Sequence, residues 1–147
     1  MLHEWLLVVH IISAVVYVGG AVAVTVQATG AADAPGQFLK LADLAGRAIG
    51  IGAVFTLVTG VALVLESDVW SFSMTFVLIG IGALLVAGGV EGLYTRRKVA
   101  AVEAAIEEQG SDAPDVGADL RPVMLVNAIL IVLLVFTIWA MVFKPGL

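Results

Sequence analysis

An all-α fold, a four-helix transmembrane bundle, is predicted by three observations. Hydrophobic residues make up 61% of the 147 residues and charged residues only 13%, far from the balance of a water-soluble domain. The apolar residues collect into four runs, each close to or above the roughly 20 residues that a helix needs to cross a bilayer. Helices satisfy their own backbone hydrogen bonds in lipid, and, although pattern alone also fits buried helices of a soluble protein, four such runs in so short a chain leave no polar face to meet water. A chain of this length has room for one such bundle. It contains no cysteine, so disulfides and thiolate chemistry are excluded. No basic patch interleaved with aromatics is present, so nucleic-acid binding is not expected.

The first span covers about residues 4–27. From Leu6 to Val26 it carries no formal charge. Met1-Leu2-His3-Glu4-Trp5 lacks the positive start of a signal peptide, and the apolar run exceeds a signal core, so the segment is read as a retained span. Residues 28–47 form the first cytoplasmic segment. Within it, Asp33 to Arg47 reads as a short interfacial helix, with Asp33 as N-cap, Pro35 in the first turn, Phe38, Leu41 and Leu44 on one side and Lys40 and Asp43 on another. The second span covers about 48–65 and the third about 70–93, joined by the acidic turn Glu66-Ser67-Asp68. The helix then continues past Arg96-Arg97-Lys98 through the Ala- and Glu-rich stretch to Gln109. Gly110 to Gly117 reads as a flexible acidic linker that closes the second cytoplasmic segment, 94–122. Arg121-Pro122 opens the fourth span at about 123–143.

Charge sets the orientation. Lys40, Arg47, Arg96, Arg97, Lys98 and Arg121 fall in the loops after spans one and three, and only Lys144 falls on the other side. By the positive-inside rule both termini lie outside the cytoplasm, in a multi-pass protein of the inner membrane. Gly46/Gly50 and Gly88/Gly92 have the four-residue spacing that lets helix backbones approach, and small-residue faces of this kind predict a homodimer within the lipid bilayer. Ile49-Gly50-Ile51-Gly52-Ala53 is echoed by Ile79-Gly80-Ile81-Gly82-Ala83, for which helix packing is a simpler explanation than duplication.

The chemistry centres on span one. His3, His10 and Tyr17 are seven residues apart and so share a helix face, with Ser13 beside them. His10 lies about 7–8 Å deeper than Trp5, where a titratable group faces a partner or a cavity rather than lipid. Two readings follow. His10 is an axial ligand to a metal or haem, or it hydrogen-bonds Thr59 or Thr137 of another span. The pair Gly19-Gly20 removes bulk below His10, leaving room for a flat macrocycle or a helix. The candidate cofactor-binding set is therefore His10, Ser13, Tyr17, Gly19 and Gly20. His3 lies at the interface and reads as a surface residue.

The two histidines sit roughly 10 Å apart along one helix, so they cannot clamp one iron from opposite faces. Haem would rest on His10 alone, on His10 with a methionine, or on His10 of two subunits. Met74 and Met141, in the same leaflet, make a soft His/Met copper site the alternative. At the cytoplasmic end, Glu91, Asn127, Arg47 and Arg96 reach one level and are read as a structural ion-pair cluster. No triad, P-loop, paired-carboxylate or zinc-protease pattern occurs, and the midplane lacks the broken or charged helix of a transporter.

The stretch Val9-His10-Ile11-Ile12-Ser13-Ala14-Val15-Val16-Tyr17-Val18-Gly19-Gly20 resembles the first helix of a broad bacterial and archaeal membrane group. That group includes the copper-resistance D proteins, the HemJ-type protoporphyrinogen oxidases and an uncharacterised integral-membrane family. Its pattern is a histidine, six residues, an aromatic that is usually tryptophan, and a small pair after one further position; Tyr17 takes the aromatic place here. The ending Met141-Val142-Phe143-Lys144-Pro145-Gly146 is similar to the C-terminus of the uncharacterised family. The resemblance implies a four-helix membrane bundle in which His10 ligates haem b, acting in electron transfer, gas binding or a haem-linked oxidation. HemJ-type proteins also use a basic residue of a later helix; Arg96, Arg97 and Lys98 are the basic residues near the end of span three.

Overall fold

A computed structural model describes residues 1–29, 35–109 and 116–144. Among them the chain is helical apart from the turn at residues 67–74 and the chain ends, with helices α1 (Leu2–Ala28), α2 (Pro35–Glu66), α3 (Thr75–Val90), α4 (Arg96–Gln109) and α5 (Val116–Phe143). A single π-turn, Glu91–Thr95, joins α3 to α4 without a break. Four stretches are long and apolar enough to cross a membrane: Leu2–Ala28, Lys40–Glu66, Thr75–Ala105 and Leu120–Phe143. Only 22% to 33% of each is buried within the chain. Such apolar surfaces facing outward belong in lipid, since water would penalise them heavily. The four-helix bundle is the observed fold.

Three boundaries differ from expectation, each for a local reason. The predicted interfacial helix is not separate: residues 35–47 are the first turns of α2, which runs unbroken to Glu66. After Pro35 no proline interrupts it, and Phe38, Ala42, Ala45 and Ile49 form one buried line along it, at the three- and four-residue spacing of a packed helix face. Leu44, expected on the same side as Phe38, is instead exposed. The third span begins at Thr75 rather than Trp70. Ser67 Oγ accepts hydrogen bonds from the backbone N–H of Val69 and Trp70, and Ser71 and Ser73 bond each other, so local side-chain bonds replace the helical ladder there. The fourth helix starts at Val116, which places Pro122 inside it. Buried Leu120 and Val123 hold the turn on either side of the proline. Asp33, residues 110–115 of the expected linker and Pro145-Gly146 lie outside the described residues, while Val116 and Gly117, expected in that linker, belong to α5. The continuation of span three to Gln109 is α4, as expected.

Packing is uneven. The contact between α1 and α2 is the most extensive in the molecule, while α2 and α3 scarcely meet and α3 leans on α5. Glycine explains the tight pair. A Cβ on Gly52 would fall 2.8 Å from Tyr17 N, 2.9 Å from Ser13 O and 3.0 Å from Tyr17 Cα, so the two backbones touch there. Three apolar clusters stack along the bundle. The central one holds Tyr17, Val24, Ile49, Ala87, Leu130 and Leu134. A second, around Phe38, Val102, Leu120 and Val123, gathers the ends of the helices that carry Lys40, Arg47, Arg96 and Arg121; this is the basic end. The third, with Val64, Phe76 and Val77, marks the opposite end together with Trp70 and Met141.

Candidate functional site

His10 faces α2. Its Nδ1 lies 3.1 Å from Thr59 Oγ1. The Thr59 hydroxyl already donates to the Phe55 carbonyl at 2.5 Å, the usual backward bond of a helical threonine. Having one proton, it can only accept from the ring. With Thr59 accepting, this bond pattern assigns the ring proton to Nδ1 and the lone pair to Nε2. The imidazole is cradled by Gly60, where a Cβ would come 3.0 Å from Cε1 and 3.5 Å from Nδ1.

Beside the ring lies a crevice of about 400 Å³ between the α1–α2 pair and the α3–α5 pair. His10, Thr56, Gly60, Tyr17, Met141 and Lys144 line it among mostly apolar side chains; Thr137 also lines it, its hydroxyl donating to the Leu133 carbonyl at 2.8 Å. Its volume falls in the range of small-molecule sites, about 300–1,000 Å³. Thr56 is buried, and its Oγ1 has no hydrogen-bond partner, an uncommon state for a buried hydroxyl. At the mouth, Lys144 Nζ stands 4.4 Å above the Trp70 ring, held by a left-handed backbone (φ 46°) just after α5. The site thus has an imidazole on its wall, an apolar body and a cation at its opening.

Of the five residues predicted for a cofactor, the crevice brings together His10 and Tyr17. Ser13 donates instead to the Val9 carbonyl at 2.7 Å and abuts Gly52. Gly20 makes room for α2: a Cβ there would meet Ile49 Cγ1 at 2.7 Å and Ala45 O at 3.3 Å. Gly19 has nothing within 4 Å and lines no part of the crevice. Met141 is a lining residue and Met74 is not. Among the described residues no group of three His, Cys, Asp or Glu side chains is placed to hold a metal ion. Thr56, Gly60, Trp70 and Lys144 were not singled out by the sequence. The signal for the first two was present: Thr56, Thr59 and Gly60 have the i, i+3, i+4 spacing of a polar and small stripe on an apolar helix.

No family model, curated protein or solved structure matches the chain. The kinship expected from the first helix and the C-terminal end therefore rests on those residues alone.

His3 is more than a surface residue. Its Nδ1 bonds Glu66 Oε2 at 2.7 Å, and its ring centroid lies 5.4 Å from that of Trp70, tying the start of α1 to the end of α2. At the basic end, the expected ion pairing of Glu91 is absent. The ion pairs among the described residues are Met1–Glu4, His3–Glu66 and Arg47–Asp43. Arg96 reaches across to the Gly46 carbonyl at 3.4 Å, while Glu91 is drawn into a polar chain with Thr95 and Asn127. The helix geometry explains this: the π-turn directs Glu91 and Thr95 inward together, and the exposed Arg96 just past it lies over small residues of α2.

Proposed function

We propose that this chain is an inner-membrane protein that binds haem b in the crevice, with His10 as axial ligand through Nε2. One observation carries the reading: His10 lines an apolar crevice with its Nδ1 3.1 Å from Thr59 Oγ1, a bond that, with Thr59 accepting, leaves Nε2 unprotonated. Metal-bound histidines typically have such a partner on the second nitrogen, which sets the tautomer and the ring orientation. The remaining features fit the chemistry of the group. An apolar body suits the macrocycle, the unpartnered Thr56 hydroxyl awaits a polar atom, and Lys144 at the mouth offers a cation to a propionate. Bound there, haem supplies one-electron transfer, gas binding or a haem-linked oxidation. In the membrane the basic end faces the cytoplasm by the positive-inside rule, and the crevice opens toward the other face.

The test is the visible spectrum of protein purified in detergent from haem-replete cells. A Soret band that is lost in His10→Ala, with helicity retained, is the expected result; colourless wild-type protein that takes up no added haem overturns the reading. Met141 on the same crevice favours copper as the second reading. Stoichiometric copper in colourless protein, lost in both His10→Ala and Met141→Leu, would establish it. Metal-free, colourless protein would leave His10 as a structural link between α1 and α2.

We propose further that a second copy of the chain packs against the glycines at the end of α3. Gly88 and Gly92 have nothing within 4 Å in the direction of a side chain, so the small-residue face expected to pack is left open within the chain. Light scattering of the detergent complex should give a dimer, and Gly88→Leu should give a monomer.

A further inference from the structure

A membrane-buried carboxyl without a cationic partner requires an account. Glu91 is only 9% exposed, Thr95 2% and Asn127 2%; Glu91 and Thr95 belong to the π-turn and Asn127 to α5. The buried residues Ala83, Ala87, Glu91 and Thr95 follow one another at four-residue steps. In a regular α-helix each such step drifts by about 40° around the axis. The wider π-turn at Glu91–Thr95 absorbs that drift and keeps the carboxyl and the hydroxyl aimed into the bundle. Such turns recur at functional positions.

The Thr95 hydroxyl joins the two neighbours. It lies against the Glu91 carboxyl and is 3.3 Å from Asn127 Oδ1. The asparagine amide offers both an acceptor and a donor, so this chain of hydrogen bonds can run in either direction. With Glu91 ionised, the amide donates to Thr95 and Thr95 donates to the carboxylate. With Glu91 protonated, its O–H donates to Thr95 and Thr95 donates to Oδ1. The structure shows Thr95 donating to Oδ1; in the other state the asparagine amide turns over, so Thr95 keeps a bond to each neighbour in both.

The charged and titratable surroundings are few. From α1, the Tyr17 phenol comes within electrostatic range of the carboxyl, and Tyr17 is also a wall of the His10 crevice. On α2, Arg47 is engaged with Asp43 at 2.8 Å on the exposed side. On α4, Arg96 lies within electrostatic range but bonds the Gly46 carbonyl. On α5, Arg121 is exposed and Asn127 is neutral. One carboxylate with two neutral oxygens is a poor cage for a metal cation, which takes several oxygen ligands. It is adequate for a proton.

We propose that Glu91, Thr95 and Asn127 form a proton-exchange site. The carboxylate gains one O–H bond, taking its proton from water at the basic end and returning it there, while the Thr95–Asn127 bond reverses. The site stands independently of haem.

Infrared spectra of full-length protein in lipid vesicles, recorded through a pH titration, test it. The expected result is one carboxylic C=O band that titrates apart from the exposed carboxylates, disappears in Glu91→Gln, shifts in frequency in Asn127→Leu, and persists in Glu103→Gln. Should Glu91→Gln fail to assemble, isotope-labelled glutamate in the wild-type protein assigns the band, because the band must move with the label. Titration of all glutamates in one step overturns the proposal in favour of a structural role. A band displaced by added sodium at fixed pH overturns it in favour of a metal-cation site.

Discussion

Substituting Gly52 by alanine probes the α1–α2 contact with a built-in control. The added methyl would sit 2.8 Å from Tyr17 N and 2.9 Å from Ser13 O, whereas ordinary contact begins near 3.4 Å. Both obstacles are backbone, so no rotamer change relieves them, and the helices must separate by about half an ångström. Overpacking of this kind costs about 1–3 kcal/mol. Against it stands the gain from replacing glycine by alanine within a helix, about 1 kcal/mol. Gly82 occupies the matching place in the echoed pentapeptide but has nothing within 4 Å, so Gly82→Ala collects the gain alone. The two variants should therefore differ by about 1–3 kcal/mol, with Gly52→Ala the less stable. Reversible unfolding in mixed micelles with increasing sodium dodecyl sulfate, followed by far-ultraviolet circular dichroism, measures the difference. Equal midpoints for the two would refute the backbone contact. In the structure only the first of the two echoed pentapeptides uses its second glycine against a neighbouring helix.

Thr59→Val removes the acceptor for His10 Nδ1 while keeping the shape; haem affinity should fall about 10- to 100-fold, read by titration of the Soret band. Gly60→Ala places a methyl 3.0 Å from His10 Cε1, which a side chain can evade by a few tenths of an ångström, so the Soret band should shift rather than vanish. Glu66→Gln removes the charge of a pair whose side chains are 37% and 33% exposed; stability in the same unfolding assay should change by less than about 1 kcal/mol.

The spans were legible because apolar runs of this length have few alternatives to crossing a bilayer. Their ends were not, because the decision between helix and turn lay with individual side chains. Ser67 captures two N–H groups before α3, and Phe38 finds a buried partner cluster that keeps α2 going below Arg47. Composition carries neither fact. His10 was legible as a depth argument, and its bond to Thr59 was one of two partners open to it. The roles of the glycines were harder to read. Gly20 and Gly52 pack within the chain while Gly19, Gly88 and Gly92 do not, and an outward glycine looks the same in sequence whether it meets lipid or a helix. Glu91 was placed in an ion pair because Arg96 is near in sequence. The four-residue run from Ala83 to Thr95 did carry the sign that the helix would widen and turn the two residues in different directions.

With 32 residues, α2 is a rod of about 48 Å, against a hydrocarbon layer of about 30 Å. More than a third of its length therefore stands outside the acyl chains. The helix that steadies the imidazole through Thr59 is the same rigid body that presents Phe38 to the cluster at the far end, with no joint between them to absorb a displacement. Whatever docks against the projecting foot, on the side where the basic residues gather, gains leverage on the ring at the other end of the shaft.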